Sequence, residues 1–189
     1  MTRELRFSMS TWNHIIDAAH VGLRILANGF AATSVVTMLT SNQEIYMMDN
    51  IAIAKAHYSY SSALRYKLIA DAVGCFFSLL SSVLVYRKTK CSHTEPKTSF
   101  YFNLLIADMS ITFVMMILMI SGCAAATGVG FVALKGIEEP GISWAPICNL
   151  AGKFCLMGTL SIAFSYAAFA CMTALTFLSA WKLKLLATH

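Results

Sequence analysis

Apolar positions along this chain gather into four long runs, at about 15–40, 62–86, 100–126 and 154–181, and the joins between them are polar. Each run is long enough to cross a bilayer, since about 20 apolar residues at 1.5 Å rise span the roughly 30 Å of hydrocarbon. None alternates with a period of two, and all run far past the ~10 residues of a barrel strand. The pattern predicts an all-α integral membrane protein with four transmembrane helices. Short joins place consecutive helices side by side, so an up-down-up-down antiparallel bundle is the expected topology. The tails, 1–14 and 182–189, are too short to fold alone. Lipid offers helices no hydrophobic reason to associate, so close packing falls to small residues. The expected contact residues are Ala27, Gly29, Ala31 and Ala32 on the first helix, and Ser78, Ser81 and Ser82 on the second. On the fourth they are Gly158, Ser161, Ser165 and Ala168.

Composition sharpens this class. The chain of 189 residues is 58% hydrophobic and 12% charged, against about 25% charged residues in an ordinary soluble domain. Lysine and arginine bias sets the expected orientation. One side carries Arg3, Arg6, Arg87, Lys88, Lys90, Lys97, Lys182 and Lys184. The other carries Lys55, Arg65, Lys67, Lys135 and Lys153, offset by Glu44, Asp49, Glu138 and Glu139. Both termini are therefore expected in the cytoplasm. The net charge of +5 lies mostly where anionic inner-leaflet lipid would meet it, and no nucleic-acid partner is needed. The first run exceeds the 7–15 residues of a signal-peptide core and ends without a small-residue cleavage site, so it is expected to stay as an anchor.

Three charges, Arg24, Asp71 and Asp108, fall deep inside these runs. A charge at mid-bilayer costs about 3 kcal/mol on insertion scales, so it persists where something answers it. Arg24 lies nine residues into the first run and Asp108 eight into the third, about 13 and 12 Å deep from the same side. Equal depth predicts an Arg24–Asp108 contact between helices one and three. The alternative is an arginine that reaches to the interface alone and a protonated aspartate. Neither helix adds a further titratable group at that level, which favours a structural clasp over a proton relay. Asp71, in the second run, has Lys67 one turn back on the same face as its expected partner; a cation-binding role in a cavity is the other reading.

The remaining chemistry is sparse. Cys75, Cys123 and Cys171 lie within runs and read as small apolar residues. Cys148 and Cys155 sit on or beside the second outer join, in an oxidising compartment, and a bridge between them is expected. A Cys155 turned away on the fourth helix would prevent it. The same join holds Gly128, Gly130, Gly136, Pro140 and Gly141, a density that predicts turns. The five histidines are scattered, and no metal-ligand, nucleophile or phosphate-loop pattern occurs. No cofactor, no metal and no enzymatic activity are expected.

Ordered motifs carry a resemblance. They are Gly22-Leu23-Arg24, Met38 to Gln43 at the exit of helix one, and Tyr60 to Tyr66 before helix two. Ala107-Asp108 follows, then Trp144-Ala145-Pro146-Ile147-Cys148 with Lys153-Phe154-Cys155. Over residues 15–180 the chain resembles the Casparian strip membrane domain protein-like tetraspans of land plants, a group similar to the MARVEL domain. Arg24 and Asp108 match that family's arginine of helix one and aspartate of helix three, and Trp144 and Pro146 its outer-loop motif. The resemblance implies a multi-pass plasma-membrane protein that self-associates, with its own kind or with family members, into platforms in the bilayer. It also implies recruited cell-wall enzymes as partners and local cell-wall modification as the service. Where strip-forming members carry paired phenylalanines, the first outer loop here reads Glu44 to Asn50 without one, which places the chain with the "-like" members.

Three functions compete at this point. A non-enzymatic, oligomerising scaffold leads. A small transporter or channel subunit, with Asp71 or Asp108 lining a path, is the alternative. A thiol-quinone oxidoreductase would need a reactive cysteine pair that the spans do not supply.

Overall fold

A computed structural model describes the backbone of residues 2–47, 51–91, 98–139, 142–144 and 146–187, and the side chains of 18–44, 56–83, 106–136, 146–181 and 183–184. The turn expected at Pro140-Gly141 and the polar join over 92–97 lie outside the described residues, as does the side chain of Trp144. Four helices dominate: α1 (Thr2–Leu39), α2 (Ser62–Cys91), α3 (Thr98–Lys135) and α4 (Gly152–Ala187). Among the described residues, all four carry a stretch long and apolar enough to cross a membrane: Ala18–Leu39, Ser62–Val83, Ile106–Lys135 and Gly152–Trp181.

Contacts between side chains fix the topology. On α1 and α4, His20 meets Ser179 while Ser34 meets Ser161. On α1 and α2, Arg24 meets Ser81 while Ser34 meets Asp71. In each pair the numbers run in opposite directions, so neighbours are antiparallel. Tyr66 with Ser121 and Ser81 with Asp108 give the same result for α2 and α3. The helices follow one another around a square: α1 packs against α2 and α4, and α3 against the same two. Thus α1 and α3 face each other across a diagonal.

The buried positions explain why the bundle holds this register. On α1 they are Arg24, Ala27, Ala31, Ser34 and Met38; on α4 they are Ser161, Ser165, Ala168, Met172, Leu175 and Ser179. Steps of three and four alternate, the 3.5-residue repeat of helices packed at a shallow left-handed angle. The seam is small, polar or methionine, whereas the outward faces carry Ile25, Leu26, Ile69, Phe76, Ile117 and Phe177. That is the inside-out logic of a bundle solvated by lipid. Methionines of α3 fill the space that alanines leave. Met116 packs with Ala27 and Met172, and Met119 with Ala31 and Ala168. Near the opposite end Met38, Leu64 and Ala126 close the core.

Sequence and structure differ at the ends. The residues before Ile15 continue α1 from Thr2 instead of forming a separate tail, since adding residues to an existing helix is far easier than starting one. The glycines of the second outer join also divide. Gly128 and Gly130 lie within α3, which runs to Lys135; glycine is tolerated in membrane helices. Gly136, with φ 70°, stops it, and its N–H donates to the Val132 carbonyl at 2.9 Å, as a left-handed C-terminal cap does. Of the expected small contact residues, Gly29 and Ala32 face outward. Short antiparallel hairpins, β1 (Gln43–Met47) with β2 (Ile51–Ala56) and β3 (Ile137–Glu139) with β4 (Ile142–Trp144), sit beyond the helix ends.

Gly122 of α3 sits at a close backbone approach to α2. A Cβ there would lie 3.1 Å from the Lys67 backbone Cα and 3.4 Å from the Ala70 methyl of α2. A Cβ at Gly128 would meet nothing within 4 Å. Gly122→Ala should therefore lower the thermal midpoint in detergent by an amount equivalent to about 1–3 kcal/mol, the usual cost of overpacking. Gly128→Ala should leave it unchanged or raise it. Equal midpoints for the two variants would refute the close approach.

Candidate functional site: two layers of charge inside the bundle

The described charges inside the bundle fall into two layers. Arg24 on α1 forms an ion pair with Asp108 on α3, across the diagonal. Its Nη2 donates to Asp108 Oδ2, and its Nη1 donates to Ser81 Oγ of α2 at 2.5 Å. Ser81 in turn donates to Asp108 Oδ1. Each carboxylate oxygen thereby has a donor, and three helices are joined at one point. One turn away His20 meets Ser179 at 3.1 Å and ties in α4. Ser81, expected only as a small packing residue, is the third member of this clasp.

The second layer lies about 15 Å along the bundle, ten residues from Arg24 to Ser34 on α1 and ten from Ser81 to Asp71 on α2. Lys67 and Asp71 are both fully buried and 3.0 Å apart, one turn apart on α2. Sequence alone puts Lys67 in two places, as a cation of the outer joins and as the partner of Asp71; here it lies inside the bundle against Asp71. Apolar neighbours at the membrane edge hid this, because a lysine near a helix end ordinarily reaches to water.

Proton counting shows how the ammonium is satisfied and where the carboxylate is not. Every donor goes to Asp71 Oδ2, and the buried Oδ1 has no hydrogen-bond partner among the described residues. The ammonium has three N–H donors, and it meets Ser34 Oγ at 2.7 Å, Ser161 Oγ at 2.5 Å and Asp71 Oδ2. Ser161 donates to the Ser34 carbonyl at 2.8 Å. Ser34 and Ser165 donate to Asp71 Oδ2 at 2.7 and 2.6 Å. Each hydroxyl then spends its one proton once. α3 contributes no polar side chain to these bonds and approaches with Gly122 instead. Among the described residues no group of three or more His, Cys, Asp or Glu could hold a metal ion. With Lys67 already on Asp71, the layer offers a cation little.

Beyond the helix ends, Cys148 and Cys155 are bridged, with Cα atoms 5.6 Å apart. The bridge pins the short helical turn Ile147–Asn149, entered through Pro146, to the start of α4. Gln43 of the first hairpin accepts a hydrogen bond from the Phe154 N–H at 3.0 Å, capping α4 from a distance. Both outer loops therefore meet at one helix terminus. Trp144 lies in β4.

Ser34 and Gln43 had no part in the site expected from sequence. A signal for Ser34 exists in the spacing Arg24, Ala27, Ala31, Ser34, which marks one face. Gln43 carries no comparable mark.

Removing one member of a buried pair leaves the other charge unanswered, at about 3–5 kcal/mol. Arg24→Ala, Asp108→Ala, Lys67→Met and Asp71→Leu should each lower the thermal midpoint sharply. The double variants, Arg24→Asp with Asp108→Arg and Lys67→Met with Asp71→Leu, should recover much of that loss. Single variants as stable as the parent would show that the pairs carry no structural weight. The disulfide closes a short loop worth about 2.5 kcal/mol by chain entropy. Intact-mass measurement should find the bridge without reductant, and reduction should lower the midpoint; two free thiols in the untreated protein would contradict it.

Comparisons with known proteins converge. The profile of the Casparian strip membrane protein domain matches residues 13–171. CASP-like protein 1F2 of Ricinus communis is 41% identical over 170 residues, covering 90% of this chain and 80% of the relative. CASP-like protein 1F3 of Populus trichocarpa is 38% identical over 171 residues, covering 90% and 83%. CASP-like protein 1F1 of Ricinus communis is 34% identical over 164 residues, covering 87% and 86%. No solved structure matches the chain.

Proposed function

The chain belongs to the Casparian strip membrane protein family, and from that premise we propose that it is a non-enzymatic scaffold of the plasma membrane. In this reading it self-associates, with its own kind or with family members, into platforms that organise local modification of the cell wall. Both termini face the cytoplasm. The supporting observation is the use to which the intramembrane charges are put. Arg24 is answered by Asp108 and Ser81, and Lys67 by Asp71, Ser34 and Ser161. Charges that line a transport path commonly face substrate or water; these are consumed in tying helices together. A rigid bundle with a lipid-compatible exterior and stapled outer loops is what a platform subunit requires. Lys67 inside the bundle removes one cation from the outer side, which widens the lysine and arginine bias towards the side of the termini.

The alternative, a small transporter or channel subunit, predicts a different behaviour. Fluorescence recovery of a tagged copy in plant plasma membrane should show slow, incomplete return. Free diffusion at the rate of a monomer would refute the scaffold, and ion flux through liposomes carrying the purified protein would favour the channel.

A further inference from the structure

The helices end at different heights on the side of the termini. Arg24 of α1 meets Ser81 of α2 and Asp108 of α3, which puts those three residues at one level. From that level α2 runs ten residues further, to Cys91, and α3 reaches back ten, to Thr98. His20 of α1 lies level with Ser179 of α4, from which α4 runs eight residues, to Ala187. α1 reaches back from Arg24 by twenty-two residues, to Thr2. At 1.5 Å per residue it outreaches α2 and α3 by about 18 Å and α4 by about 15 Å. Residues 2–11 therefore lie beyond the described end of every other helix.

On this overhang the apolar residues keep to one face. Leu5, Met9, Trp12 and Ile16 follow one another at steps of four, three and four, the 3.5-residue repeat of a two-stranded coiled coil. The buried seam of α1, carried backwards from Arg24 at its own steps, falls on His20, Asp17, Asn13, Ser10 and Arg6 instead. The apolar stripe is thus a second face, distinct from the one that packs the bundle. A helical end of this length is marginal in water unless a face of it is packed.

We propose that the stripe packs against the same stripe of a second copy, as a short parallel coiled coil standing beyond the bundle. This rests on the self-association argued above and names a contact for it. Three arguments choose the occupant. Insertion sets every copy the same way up, so two α1 helices run parallel and carry Leu5, Met9, Trp12 and Ile16 at equal heights, as a two-fold contact requires. α1 is a single helix from Thr2 to Leu39, so its overhang continues out of the bilayer and does not lie along the lipid surface. The positions flanking the stripe are Arg6, Ser8, Asn13 and Ile15; Ser8 of one copy falls opposite Asn13 of the other, and no like charges meet across the contact. So short a coiled coil holds weakly by itself, and anchorage in one bilayer supplies the effective concentration.

Disulfide trapping on the full chain in bilayers tests this contact, in a Cys91→Ser background that removes the nearest native thiol. Copper-phenanthroline should link Leu5→Cys or Met9→Cys chains into covalent dimers. Phe7→Cys and His14→Cys, on the opposite face, should stay monomeric. Adding Met9→Lys to the Leu5→Cys chain should abolish the dimer, while the thermal midpoint shows the bundle still folded. Equal trapping on both faces, trapping on neither, or a dimer that survives Met9→Lys would overturn the contact. Fluorescence recovery of the Cys91→Ser parent separates this contact from the platform reading. Slow recovery without stripe-specific trapping removes the coiled coil and leaves the scaffold. Stripe-specific trapping with the free diffusion of a dimer keeps the contact and removes the scaffold.

Discussion

Hydrocarbon supplies no hydrogen bonds, and this constraint organises the bundle. A charge placed in it must find its answer on a neighbouring helix, and the answer must be at the right height. Arg24 with Asp108 and Lys67 with the α1 and α4 serines therefore do more than pair. Two polar layers about 15 Å apart along the helices fix both the rotation and the vertical register of α1 and α2. A helix sliding by one turn would break both layers at once. Dispersion between alanine and methionine surfaces is far more forgiving, because either neighbour can adjust.

The diagonal placement of α1 and α3 gives the Arg24–Asp108 contact its particular form. Helices at opposite corners keep their backbones apart, so only long side chains, the α3 methionines and Arg24, cross between them. Arginine has the reach and a planar fork of donors, and it engages Ser81 of the intervening helix on the way. At the other level the ion pair lies within α2 alone, and serines carry the contact outward to α1 and α4. The first device ties a diagonal, and the second ties one helix to two neighbours. Between them every helix is held, α3 through Asp108 at one end and through the close approach of Gly122 at the other.

Much of the fold was legible in the sequence, for physical reasons that differ by element. Four apolar runs declare four spans because hydrophobic length is nearly a sufficient cause of insertion. The depth of Arg24 and Asp108 could be counted because the helical rise is constant. What stayed hidden was the direction of each face. In a soluble helix apolar residues mark the core; here both faces are apolar, and the seam is marked by its smaller and more polar members. Ser34, Ser81, Ser161 and Ser165 look like packing residues until their hydroxyls are placed against Lys67, Asp71 and Arg24. The complete burial of Lys67, though not its neighbour Asp71, was hidden for the converse reason. Its position near a helix end suggested solvent, and only three-dimensional neighbours reveal three acceptors around its ammonium.

Serine is what allows charge to be buried here without opening a channel. A hydroxyl accepts from a cation and donates to an anion or carbonyl in the same instant, so it can relay polarity between helices while occupying little more space than alanine. Ser161 does this between Lys67 and the Ser34 carbonyl, and Ser81 between Arg24 and Asp108. Replacing such a residue by alanine would keep the volume and lose the relay; replacing it by asparagine would keep hydrogen bonding and force the helices apart. The small-residue seam and the charged layers are thus one solution rather than two. Close helix approach demands small side chains, buried charge demands hydrogen-bonding ones, and serine satisfies both conditions at the places where the two demands coincide.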